Sequence, residues 1–124
     1  PDEEAQIKKH LIRLSDSRQV DLIITTGGTG LSPRDRTPEA TLAVADRNVP
    51  GISEAIRAGS MTITKRAMLS RGVSVIRKKT LIINLPGSPK AVKESLEYII
   101  GALDHGIEIM TGEAGNCATM RLQN

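Results

Sequence analysis

Gly27, Gly28 and Gly30 fall within four residues, and Arg34-Asp35-Arg36 follows them closely. Clustered glycines expose backbone N–H groups and reach positive φ, so a loop of this kind can approach an anion closely. The triplet puts a carboxylate between two cations at the loop exit, which favours binding over turn geometry alone. A second loop, Asn84-Leu85-Pro86-Gly87-Ser88-Pro89, has the same logic of strand end, glycine and helix start. Such a junction is common in folded domains, so its weight comes from pairing with the first. Two loops of this type meet on one ligand when their strands are neighbours and point the same way.

The glycine loop matches neither common nucleotide fingerprint. Walker A needs Lys-Ser/Thr after its last glycine, and Leu31-Ser32 follow Gly30. The dinucleotide pattern needs a small residue where Pro33 stands.

The surrounding elements must hold these loops. Residues 20–26, apolar and β-rich apart from Asp21, read as a buried parallel strand ending at Thr26. Thr37-Pro38 reads as an N-cap and first helical residue, with the helix running to about Arg47. Ile7, Leu11 and Leu14 give a helix over 3–15. A further helix is expected over 51–59, and a loop with a short helix over 60–72. Residues 73–77 and 80–85 read as a hairpin turning at Lys78-Lys79, although Lys-Lys is not a preferred two-residue turn. Ser88 and Pro89 open a helix with a stripe at Val92, Leu96, Ile99, Ile100 and Leu103, capped near His105-Gly106. Residues 111–124 read as polar and frayed.

The 124 residues are the size of one domain, and 39% hydrophobic content supports a core. Tyr98 is the only aromatic residue, so the core is aliphatic and base stacking is excluded as a binding mode. The net charge of +3 is scattered, which argues against nucleic acid and suits phosphorylated small molecules. Cys117 is alone, which excludes an internal disulfide or a cysteine zinc site and fits a reducing compartment. No apolar run reaches membrane-spanning length. The methionines read as packing, and His10 and His105 as surface and helix-end residues.

Taken together, TTGGTGLSPRDRTPEAT (25–41), VPG (49–51), MLSRGV (68–73) and KTLIINLPGSPKAVKE (79–94) resemble the molybdopterin adenylyltransferase family, of the MogA and gephyrin G-domain type within the MoaB/MogA superfamily. The resemblance covers nearly the whole chain in order. It implies a three-layer α/β sandwich with a mainly parallel central sheet plus a small hairpin. It also implies one molybdopterin-binding domain over 1–124 that lacks the family's N-terminal strand-helix unit, with Pro1-Asp2-Glu3-Glu4 standing at a turn met later in the family.

The implied reaction is transfer of AMP from Mg-ATP to the phosphate of molybdopterin, giving adenylylated molybdopterin and pyrophosphate. Asp2 and Asp35 match the family's two essential acidic positions and are expected to be catalytic and to hold Mg²⁺. Thr26, Gly27, Gly28, Thr29 and Gly30 would contact substrate from one wall, and Asn84, Pro86, Gly87 and Ser88 from the other. Ser70 matches a molybdopterin position, with a helix-end serine as the competing reading. Arg34 and Arg36 reach phosphate or stay solvated. The resemblance further implies a cytoplasmic homotrimer with a molybdenum-insertion partner, binding neither nucleic acid nor membrane. Alternatives left open are a MoaB-like or CinA-like pterin or nucleotide binder, a generic nucleotide-binding domain and an oligomerising scaffold without catalysis.

Overall fold

The computed structural model of the chain describes residues 3–112. The apolar run at 20–26 forms strand β1 (Leu22–Thr26), and the expected hairpin forms β3 (Ser74–Arg77) and β4 (Thr80–Leu85). A two-residue strand, β2 (Arg47–Asn48), adds to them. The helices are α1 (Glu3–Ile12), α2 (Thr37–Val44), α3 (Pro50–Met61) and α4 (Pro89–Thr111). A π turn (Arg13–Ser17) follows α1, and a 3-10 turn (Lys65–Leu69) follows α3.

The strands form one sheet in the order β1-β4-β3-β2. β4 lies inside it and all six of its residues are buried, so its side chains serve both faces. Leu81, Ile83 and Leu85 pack with Ile56, Ile99 and Leu103 beneath α3 and α4. Ile82 points the other way, onto Leu11, Ile23, Val44 and Val75 beneath α1 and α2. The period-two alternation of a strand thus divides one apolar run between two cores. Each side chain buried this way contributes roughly 1.5–3 kcal/mol. The result is the expected three-layer α/β arrangement, helices on each side of a sheet.

Three details differ from the sequence reading, and the expected Lys78-Lys79 turn forms in an unusual conformation. Of the three pairings only β1 with β4 is parallel, because the β3–β4 hairpin is built into the sheet and brings β2 in antiparallel. The sheet is therefore mixed, and β1 ends the strand order among the described residues, so the expected buried strand has only Ile23 of its five residues buried. α2 begins at Thr37, with no side-chain cap at Arg36, and stops at Val44 to let the chain enter β2. A two-residue strand leaves no periodicity to read. α4 continues through Gly106, whose surroundings are open, and is capped by Gly112 at φ +85°. The Lys78-Lys79 turn forms with Lys78 at φ +53°. Its backbone N–H donates to Asp46 Oδ2 at 2.7 Å, which fixes a conformation lysine seldom adopts.

The hairpin is also tied to the first helical layer. Arg77 Nε and Nη2 donate to the two carboxylate oxygens of Asp16 at 3.0 and 2.8 Å, and Nη1 donates to Val44 O at 3.0 Å. This paired geometry is the strong form of a carboxylate–guanidinium contact. The Arg77 hydrogen bonds hold the Asp16 carboxyl below its usual range, with burial opposing in part. The folded state then binds this proton less readily than the unfolded state. The stability from Asp16 is present in full above about pH 4, the unfolded carboxylate value, and is lost as pH falls through the depressed folded value. Melting temperatures measured from pH 7 down to pH 2.5 should fall less steeply for Asp16→Asn than for the unsubstituted protein. Parallel profiles would show that this pair does not contribute to acid sensitivity.

Candidate functional site at the carboxyl edge of the sheet

β1 and β4 finish together, at the pair Thr26–Leu85. Parallel pairing therefore delivers both loops to the same edge. Gly27 N donates to Leu85 O at 3.0 Å, one residue past the last strand pair. The loops then touch. A Cβ placed on Gly87 would lie 3.3 Å from Gly27 Cα, so glycine at 87 permits the approach. Gly27 and Gly28 have φ of +86° and +72°, the left-handed region where a side chain is strained. At Gly28 space also forbids one, since a Cβ there would be 2.1 Å from Thr37 Oγ1.

Thr29, Gly30, Ser70 and Pro86 line one cavity of about 270 Å³, with Arg66 and Glu94 also on its wall. Expected substrate contacts from three separate stretches of sequence therefore meet. A cavity of about 380 Å³ lies at the opposite edge, beside Gln19, Asp21, Lys78 and Lys79, and none of the expected site residues lines it. We place the candidate site at the smaller one, where the loops and free N–H groups lie. Ser70 receives the Gly72 N–H at 3.3 Å, and Ser70 O accepts from Arg57 Nη1 at 3.4 Å.

The remaining expected residues divide. Thr26 is exposed at the strand end, beside the loop. Ser88 caps α4, its Oγ accepting from Ala91 N at 3.1 Å. Asp35 folds back over the loop. Its Oδ2 accepts from Ser32 N at 3.0 Å and would stand 2.9 Å from a Cβ on Gly30. Arg36 is held by Glu4 at 2.9 Å, and Arg34 is exposed. Asp2 lies outside the described residues, as do Cys117 and Met120. No group of three or more His, Cys, Asp or Glu that could hold a metal occurs among the described residues.

Asn84 is not a wall residue. It is 3% exposed, and its side chain is occupied inside the fold. Nδ2 donates to Thr25 Oγ1 at 2.9 Å and Thr41 Oγ1 at 3.0 Å, while Oδ1 accepts from Val73 N at 3.1 Å. Thr41 Oγ1 donates on to Thr37 O at 2.8 Å, which carries the network to the residue packed on Gly28. The direct-contact expectation is thus corrected, because strand alternation turns Asn84 toward α2 with Ile82.

Arg71 had no assigned role from sequence, although MLSRGV contains it. Its backbone N–H donates to Thr29 O at 2.7 Å and its Nε to Gly30 O at 2.8 Å. Nη2 donates to Asp35 O, and Nη1 pairs with Glu39 Oε2 in the first turn of α2. The Arg71 hydrogen bond holds the Glu39 carboxyl below its ordinary range against the opposing effect of burial. Only an arginine between a candidate substrate serine and a glycine hinted at this, and its partners lie 32 and more residues away.

The family model described as "Probable molybdopterin binding domain" matches residues 1–105. The chain belongs to this family. Among members of the molybdopterin-binding family, molybdopterin adenylyltransferase from Escherichia coli (strain K12) is 51% identical over 111 residues, 86% of this chain and 57% of that protein. The chain thus spans little more than half the length of that relative. The crystal structure of the molybdopterin biosynthesis enzyme MoaB from Thermus thermophilus aligns with TM-score 0.84 and 53% identity, covering 90% of this chain and 70% of that one. The molybdopterin biosynthesis Mog protein from Mycobacterium ulcerans aligns with TM-score 0.81 and 42% identity, over 86% and 69% of the two chains.

Two substitutions probe this family edge. Gly28→Ala combines positive φ with a steric clash and should cost roughly 1–3 kcal/mol in chemical denaturation. An unchanged midpoint would mean that residue 28 does not hold this backbone. Asn84→Ala takes three hydrogen bonds from a buried side chain, to buried Thr41 and half-buried Thr25 and Val73, and should lower stability by roughly 1–3 kcal/mol. If it weakened ligand binding at full stability, Asn84 would be a contact residue after all.

Proposed function

We propose that the whole protein transfers AMP from Mg-ATP to the terminal phosphate of molybdopterin. One observation carries this reading: two glycine-bearing loops and Ser70 converge on one cavity, in a chain 51% identical to a molybdopterin adenylyltransferase. An oxygen of the pterin phosphate bonds to the α-phosphorus of ATP. The bond from that phosphorus to its bridging oxygen breaks, and pyrophosphate leaves with the electron pair. The attacking phosphate is already an anion, so no general base is needed. The protein's task is to hold two crowded polyanions in line.

The residues fit this task. Backbone N–H groups of the glycine loop offer donors to phosphate without bringing bulk. Ser70, which lines the same cavity, offers a hydroxyl to the pterin substrate. Ser88 orients the start of α4 near the second wall. Asp35 also suits Mg²⁺, which is held by one or two carboxylates together with substrate phosphates. Its Oδ2 is engaged by Ser32 N, while Oδ1 accepts from no protein donor among the described residues. Magnesium, when bound, would neutralise the charge between the phosphates. By resemblance Asp2 is its second carboxylate, and the protein acts as a cytoplasmic homotrimer that passes product to a molybdenum-insertion partner. No helix among the described residues is long and apolar enough to cross a membrane.

A second reading is a MoaB-like pterin-binding protein that does not adenylylate, favoured by the 53% identity to a protein of that name. Assay of the full-length protein separates the two. Asp35→Asn keeps size and removes charge, so turnover with Mg-ATP should drop on the order of 100-fold while molybdopterin affinity changes little. Near-normal turnover at saturating Mg-ATP would remove Asp35 from the mechanism. Pterin binding without AMP transfer by the unsubstituted protein would favour the second reading.

A further inference from the structure

Two successive carbonyl groups of the glycine loop face a single residue, while Gly28 O accepts from Thr37 N at 3.2 Å. Thr29 O accepts from Arg71 N and Gly30 O from Arg71 Nε. In a trans peptide unit, the C=O and the following N–H point in opposite directions. Turning Thr29 O and Gly30 O toward Arg71 therefore turns the N–H groups of Gly30 and Leu31 away from it. Neither N–H donates to a protein acceptor among the described residues, and neither do those of Gly28 and Thr29. Four successive free N–H groups make an anion nest only if their peptide planes are held in place. Arg71 supplies that restraint, and through Asp35 O it holds the acidic residue at the loop exit as well.

We infer that Arg71 is a positioning residue that forms the phosphate-binding nest at 28–31 and fixes Asp35 beside it, without touching the ligand. The inference rests on reading this edge as a phosphate site. An arginine suits the role better than a lysine. Its planar fork directs three N–H vectors at Gly30 O, Asp35 O and Glu39, whereas an ammonium is a compact charge on a flexible stem. The side chain is committed to these acceptors, so the anion would meet backbone donors on the far side of the loop. Since Arg71 follows Ser70 directly, the same anchor sets the distance between the nest and the expected pterin contact.

Isothermal titration of the full-length protein with magnesium pyrophosphate and with Mg-ATP tests this independently of turnover. Arg71→Lys should weaken pyrophosphate binding by about tenfold or more, the scale of a lost charged hydrogen-bond set. Glu39→Gln removes the ion pair but leaves the carbonyl contacts, so it should bind within about twofold of the unsubstituted protein. Amide NMR of the unsubstituted protein provides a measurement that needs no variant: the Gly30 and Leu31 N–H signals should move and gain exchange protection on adding pyrophosphate. Equal binding losses in both variants, tracking lost thermal stability, would overturn the inference by making Arg71 merely structural. So would unmoved Gly30 and Leu31 signals. Pyrophosphate binding that depends on Arg71, in a protein that transfers no AMP, would support the inference and remove the adenylyltransferase reading instead.

Discussion

The ligand edge depends on the side chain of Asn84. It sits where β4 meets its loop and bonds to β1 through Thr25, to α2 through Thr41 and to the start of β3 through Val73. The Asn84 side chain itself is buried, where an unmatched amide is costly. The amide therefore sets the depth at which β1 and α2 stand against β4. That depth decides whether Gly27 meets Leu85 O and whether Thr37 lies against Gly28. An aliphatic residue here would preserve burial but lose the directional information.

Around this hub the fold separates two tasks. Apolar side chains from the alternating faces of β4 join the layers without specifying where the loops go. Polar groups near the edge provide the specification. Arg71 gathers Thr29, Gly30, Asp35 and Glu39, and Arg57 Nη1 donates to Gly72 O at 2.7 Å on the same strap. The loop is therefore held from its carbonyl side, and its opposite side remains open to a ligand. Main-chain amides keep their donors at every accessible pH, which suits a site for polyanions.

Much of this was legible in the sequence, for identifiable reasons. β1, β4 and the opening of α4 were readable because their patterns are local: an unbroken apolar run, and Ser-Pro at a helix start. The convergence of the two loops followed from the rule for carboxyl ends of parallel strands. The mixed sheet was harder to read, because alternation does not say which edge of β4 receives the hairpin. Sequence alone points Asn84 at the ligand, since side-chain direction at a strand end depends on register and its partner Thr41 is remote in sequence. The role of Arg71 is not legible in sequence for a related reason. A cation that binds carbonyls has no compositional signature, and a motif marks its presence without giving its direction.

The parallel pairing of β1 with β4 also governs when the site comes into being. The groups joined by the Asn84–Thr25 bond are 59 residues apart in the chain. During synthesis β1 emerges long before the strand it pairs with, and closing so wide a loop is entropically slow. The glycine loop must therefore wait, with its aliphatic strand uncovered, until β4 is made. The contacts that shape the pocket therefore cannot precede the arrival of β4, so ligand competence would report on pairing that joins distant parts of the chain.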